Sequence, residues 1–161
     1  MYHRRMTDLK SAPSPDLTAA TETWLAVVRA YNQCTMTLAK RLEPLGISLL
    51  QHEILMNLLR TPGLPQQQLS QRCFSAKSGV SMVMTRFLEA GMVARTKAPK
   101  DHRAWNLSLT DSGMALARQA EVLQREVVLA MAEACSEDEL ALVKTLMDQS
   151  STRLQQMREA L

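Results

Sequence analysis

Between residues 92 and 109 the helical periodicity of this chain gives way to a basic hairpin. Met92-Val93-Ala94-Arg95-Thr96 reads as a short strand, and Ala104-Trp105-Asn106-Leu107-Ser108-Leu109 alternates well enough to be a second. The residues between them, 97–103, form a polar turn that carries Lys97, Lys100 and Arg103. Everything else with a clear period reads as helix. The chain is therefore expected to be mainly α, with one small β-hairpin set among helices.

The flanking pattern narrows the choice. Trp24, Val27, Val28, Tyr31, Thr35, Leu38 and Leu42 recur at three- and four-residue spacing, which makes one apolar stripe on a first helix. Pro44 and Gly46 end it. Ser48 and Gln51 have the spacing of a capping box at the start of a second helix, whose apolar face is Leu50, Ile54, Leu55, Leu58 and Leu59. Thr61-Pro62-Gly63 breaks that helix. Two short helices follow, at about 65–73 and 77–90, and Gly91 stands where a left-handed helix end is needed. After Thr110 a long stripe runs through Met114, Ala117, Ala120, Leu123, Val127, Val128 and Met131. Ser136 and Glu139 then open a last helix carrying Leu140, Val143, Leu146, Met147, Leu154, Met157 and Leu161. A pair of short helices followed by a basic hairpin is the outline of a winged helix-turn-helix, in which the second short helix reads the major groove of DNA.

Charge follows the same division. From residue 60 to 110 there are eight basic residues against two acidic ones, whereas residues 111–161 hold five basic and nine acidic. A basic middle between near-neutral and acidic ends suits a nucleic-acid-binding module, and it also suits an ordinary solvated surface. On the helix at 77–90, Val80, Val83, Met84, Phe87 and Leu88 share one face. The opposite face offers Lys77, Ser78, Ser81, Met82, Thr85 and Glu89, with Ser75 just before the helix and Arg86 further along it. Small polar and basic side chains there can reach base edges and phosphates. An amphipathic helix with a solvated face has the same pattern; the hairpin adds weight to the DNA-binding reading, although a solvent-exposed turn with an incidental ion pair would look alike. Lys97, Lys100 and Arg103 are placed to probe a minor groove, and Asp101 can orient Arg103 through a charge-assisted pair.

These segments resemble the MarR family. The resemblance rests on Leu45-Gly46-Ile47-Ser48 before the second helix and Leu69-Ser70-Gln71-Arg72 in the first short helix. Val80-Ser81 with Arg86, and Leu88-Glu89-Ala90-Gly91 with Arg95, continue it. Its most specific part is Asp101-His102-Arg103 in the wing, followed by Leu107-Ser108-Leu109-Thr110-Asp111-Ser112-Gly113. Three positions depart from the family pattern: Phe74 replaces a turn glycine, Gly79 a threonine, and Pro65 a capping threonine. The resemblance implies a two-fold homodimer built from the N- and C-terminal helices, double-stranded DNA as partner through a pseudo-palindromic operator, and repression as the usual mode. It also implies a small anionic or phenolic effector between the helical region and the DNA-binding lobe, for which Tyr31, Thr35, His52 and Met56 are the candidates. Cys34, on the first helix, is the candidate if the signal is oxidation instead.

The expected organisation is thus a flexible arm over residues 1–16, a helical dimerisation region at 17–47 and 111–161, and a winged helix-turn-helix lobe at 48–110. Other classes find little support. There is no glycine-rich phosphate loop and no nucleophile elbow, so an enzyme is not expected. Cys34, Cys73 and Cys135 have no CxxC spacing, and the three histidines make no ligand set with them, so neither metal nor cofactor is expected. The same cysteines suit a reducing cytoplasm. No apolar run approaches the roughly 18–20 residues that a membrane span needs, and the basic start has no apolar stretch behind it. A winged helix that binds a protein partner in place of DNA is the alternative that would show as loss of positive charge on the recognition face.

Overall fold

A computed structural model describes residues 16–73, 75–97 and 104–160. Helix α1 (Leu17–Leu42) opens on Asp16, whose carboxylate accepts from the Thr18 amide at 3.3 Å. Asp16 is therefore the cap of the first helix and not the end of the arm. The rest of that expected arm lies outside the described residues. A 3₁₀ turn, Glu43–Leu45, and Gly46 at φ 65° close α1. Glycine takes that left-handed conformation without the steric cost of a β-carbon.

Helix α2 (Leu49–Arg60) begins with the expected capping box. The Gln51 amide donates to Ser48 Oγ at 3.2 Å, and the Ser48 amide donates to Gln51 Oε1 at 2.7 Å. After Thr61-Pro62-Gly63 comes a strand that the sequence reading did not foresee, β1 (Leu64–Pro65). Residue 65 was expected to start a helix. It instead belongs to this strand and precedes α3 (Gln66–Arg72), for which it provides no side-chain cap. Proline lacks the N–H that a central strand needs, but β1 lies at the sheet edge, where none is required. Helix α4 (Lys77–Glu89) follows.

The exit from α4 is a Schellman turn. Gly91, at φ 66°, donates to Leu88 O at 3.1 Å, and Met92 donates to Phe87 O at 2.9 Å. This reversal sends the chain into β2 (Val93–Lys97), which pairs antiparallel with β3 (Trp105–Leu109). Strand β3 lies between β1 and β2, with Leu64 opposite Leu107 and Lys97 opposite Trp105. Lys97 is accordingly the last residue of a strand and not part of the turn. Gly63 also donates its amide toward Leu107 O and Ser108 Oγ, each at 3.0 Å, which fastens the α2–α3 connection to the base of the wing.

Thr110 caps α5 (Asp111–Ala132) by accepting from the Gly113 amide at 3.2 Å, and its hydroxyl lies 2.6 Å from Gly91 O. Its own amide donates to Met92 O at 3.0 Å. The Leu-Thr-x-x-Gly motif is thus the joint between hairpin and long helix. Helix α6 (Glu137–Glu159) starts with the second capping box, Ser136 with Glu139.

The core fills the space between α2, α3, α4 and the sheet. Ile54, Leu55, Leu58, Leu64, Leu69, Val80, Met84 and Leu107 are almost wholly buried. Each such side chain contributes about 1.5–3 kcal/mol on leaving water. Leu42 of α1 and the small Ala117 and Ala120 of α5 extend this core, and Arg41 pairs with Glu126 across α1 and α5. Helix α6, by contrast, buries no residue. Among the described residues no helix is long and apolar enough to cross a membrane.

Candidate nucleic-acid interface and adjoining cavity

Helix α4 divides as its sequence requires. Val80, Val83, Met84 and Phe87 are buried, while Lys77, Ser78, Ser81, Met82, Thr85, Arg86 and Glu89 are exposed. Thr85 donates its hydroxyl to Ser81 O at 3.1 Å, which leaves its lone pairs outward. Lys77 stands in the first helical turn, and that turn has no acidic residue. The N-terminus of a helix carries about half a positive charge, so a lysine there is unfavourable by roughly 0.3–1 kcal/mol. A phosphate would relieve both positive charges together. Met82, 54% exposed in the middle of this face, is an apolar tip of the kind that meets a thymine methyl.

Gly79 explains itself in three dimensions. A β-carbon there would lie 3.4 Å from Leu50 Cδ2, so the position is where α4 rests on α2. Ser75, just ahead of α4, is exposed.

Beside α4 the hairpin presents a cluster that the sequence reading did not assemble. The Arg95 guanidinium carbon lies 4.6 Å from the centre of the Trp105 ring, and Lys97 Nζ lies 3.8 Å from it. Arg95 entered above only as part of a family pattern, and Trp105 had no role. Their meeting depends on strand register, which the two short runs do not specify. Of the wing residues proposed from sequence, Lys100, Asp101 and Arg103 lie outside the described residues.

Tyr31 and Thr35 of α1 and His52 and Met56 of α2 all line one cavity of about 530 Å³. Its wall also includes Leu38, Leu49 and Leu50, and its polar side brings in Asn57, Arg60, Arg72, Ser75 and Gln124. Arg72 Nη1 donates to Thr61 Oγ1 at 3.1 Å. His52 is 5% exposed, and its Nε2 has no hydrogen-bond partner. Burial holds the imidazole below its ordinary pKa, and the cation of Arg60 pushes the same way. A neutral imidazole with an unpaired nitrogen costs free energy unless something in the cavity meets it. The sequence does not place Arg60, Arg72, Ser75 and Gln124 at this cavity because they come from four separate segments, and Ser75 is read there as a DNA contact. Arginine bordering an apolar stripe was the available signal.

Cys34 lies elsewhere. It is half-buried on α1 and lines a small groove with Val127 and Met131 of α5. Cys73 is buried, and its thiol is pushed up to about 11 by burial and by the nearby Glu53 carboxylate.

The short-helix pair, the β3-centred wing and the exposed cationic face define a winged helix-turn-helix protein. Residues 45–104 match the family model described as the MarR family. Among curated proteins, the HTH-type transcriptional repressor Rv2887 of Mycobacterium tuberculosis is 32% identical over 84 residues, which is 52% of this chain and 60% of that protein. The chain thus spans 60% of the length of the curated relatives it matches. Among solved structures, AbsC, a MarR family transcriptional regulator from Streptomyces coelicolor, superposes with a TM-score of 0.76 at 22% identity, covering 89% of this chain and 99% of that one. A mutant MarR from E. coli, complexed with operator DNA, gives 0.69 at 19% identity, covering 85% and 99%. Both structural likenesses concern the fold. These relatives are named as transcriptional regulators and not as enzymes.

Proposed function

We propose that this chain is a homodimeric, operator-binding repressor of transcription that a small anionic or phenolic effector releases from DNA. The observation that carries the DNA-binding part is the outward face of α4, where Lys77, Ser78, Ser81, Thr85 and Arg86 are all exposed, as is Lys97 at the end of the wing strand β2. Lys100, Asp101 and Arg103 complete the proposed contact at the wing tip. The MarR relative complexed with operator DNA supports the same use of the fold.

A second copy is the natural cover for the helical region. Among the described residues, the exposed large apolar side chains lie on α1, α5 and α6, with Met82 of α4 the exception. Trp24 is 62% exposed, Leu129 62% and Leu154 66%. Each contributes about 1.5–3 kcal/mol if buried, and among the described residues no element covers them.

The effector reading rests on the cavity. It adjoins both the helical region, through Tyr31, Thr35 and Gln124, and the approach to α4, through Arg72 and Ser75. Arg60 and Arg72 suit an anion, and the unpaired Nε2 of His52 suits a hydroxyl or carboxyl group.

The deciding measurement is fluorescence anisotropy of the purified protein with its own upstream intergenic DNA at two salt concentrations, against random DNA. Tight, salt-dependent binding well above the control is the expected result. Equal, weak binding to both would refute sequence-specific regulation at that site and favour a protein partner. Salicylate and related aromatic acids, added to the preformed complex, then test release.

A further inference from the structure

We propose that Trp105 is a positioning residue for DNA binding, its indole holding Arg95 and Lys97 together as a phosphate-binding pair on the core-side face of the wing. This rests on the DNA-binding reading above. It extends the wing contact from the tip down into the strands.

The face is fixed by register. Val93 lies opposite Leu109, Arg95 opposite Leu107, and Lys97 opposite Trp105. Side chains alternate across a strand, so these six project from one face of the hairpin. Near its base that face is core, with Val93 and Leu107 buried. Further out it carries the exposed Arg95 and Lys97, with Trp105 half-buried between core and solvent. The cations therefore continue the side of the sheet that faces the helices, while Ala94, Thr96, Asn106 and Ser108 occupy the reverse.

The chemistry then selects the partner. Both cations lie within the range of about 6 Å at which an aromatic face attracts a positive charge. They are held on one ring although they repel each other. Among the described residues neither forms an ion pair with an acid. An indole orders the two long side chains without neutralising them, so their charge stays available to an anion. On the wing of a winged helix-turn-helix, the anion that such a pair would meet is the DNA backbone.

The test uses the full-length chain, a duplex it selects from a random library, and a random duplex of equal length. Affinity is measured across a salt series. Arg95→Ala and Lys97→Ala should each lower the slope of log affinity against log salt by about one. Trp105→Ala should weaken binding about three- to tenfold with the slope unchanged, because both charges remain. Trp105→Phe, which keeps an aromatic face, should bind better than Trp105→Leu, which keeps only bulk. Duplex should also change tryptophan emission in the parent and not in Trp105→Phe, which retains Trp24. Unchanged slopes in both cation variants, or equal binding by the Phe and Leu variants, would overturn the proposal. If Trp105→Ala does not fold, the Phe and Leu pair still decides. A parent that binds neither duplex refutes the DNA-binding reading itself, whereas a parent that binds normally beside variants indistinguishable from it refutes this inference alone.

Discussion

Replacing Gly113 by alanine should destabilise the protein by about 1–4 kcal/mol, although alanine is the better helix former. Gly113 is buried in the first turn of α5. A β-carbon there would lie 2.9 Å from the Met92 carbonyl carbon and closer still to its oxygen. Carbon contacts settle near about 3.5–4.0 Å, so the Met92 peptide would have to retreat. Overpacking of this kind costs about 1–3 kcal/mol. The retreat also strains the bond from the Thr110 amide to Met92 O at 3.0 Å, worth about 0.5–1.5 kcal/mol. The gain in helix propensity returns up to about 1 kcal/mol. Gly79→Ala is the internal control. Its β-carbon would meet only the end of the flexible Leu50 side chain, at 3.4 Å, so it should be neutral or stabilise by about 0.5–1 kcal/mol. Urea unfolding followed by circular dichroism, at equal protein concentrations, gives both values. A Gly113→Ala variant within about 0.5 kcal/mol of the parent, or more stable than Gly79→Ala, would falsify the account of this joint.

Three further outcomes are expected. Lys77→Ala should weaken binding to specific and random DNA alike and lower the salt slope by about one if it meets phosphate, which a salt titration reads directly. The His52 imidazole is held below its ordinary pKa, so as pH falls below about 6.5 the unfolded chain takes a proton that the folded chain resists. Stability should fall there, and less so in His52→Leu; parallel losses between pH 7 and pH 5 in the two proteins would refute the assignment. The Cys73 thiol, pushed up to about 11, should resist a thiol reagent at pH 8 until the protein is unfolded, while the exposed Cys135 reacts first. Equal rates would show that Cys73 is accessible.

The local elements were legible because each is decided by a few neighbouring residues. The Ser48–Gln51 and Ser136–Glu139 boxes and the turn at Gly91 follow from short-range hydrogen bonding and backbone sterics. The buried and exposed faces of α4 follow from helical period alone. Strand β1 did not, because two residues have no period and one of them is proline. The polar side of the cavity did not either. Arg60, Arg72, Ser75 and Gln124 converge only after α2, α3 and α5 have packed. The pairing of Lys97 with Trp105 likewise needs the register, and a shift of one residue would send the indole to the other face.

The central place of β3 has a mechanical consequence. One edge of this strand is bonded to β2 and the other to β1, which leads directly into α3. The wing cannot swing away from the helix-turn-helix without breaking the bonds at Leu64, Gly63 and Ser108. Bending between the wing and the helix pair is therefore stiff, and the two move as one body.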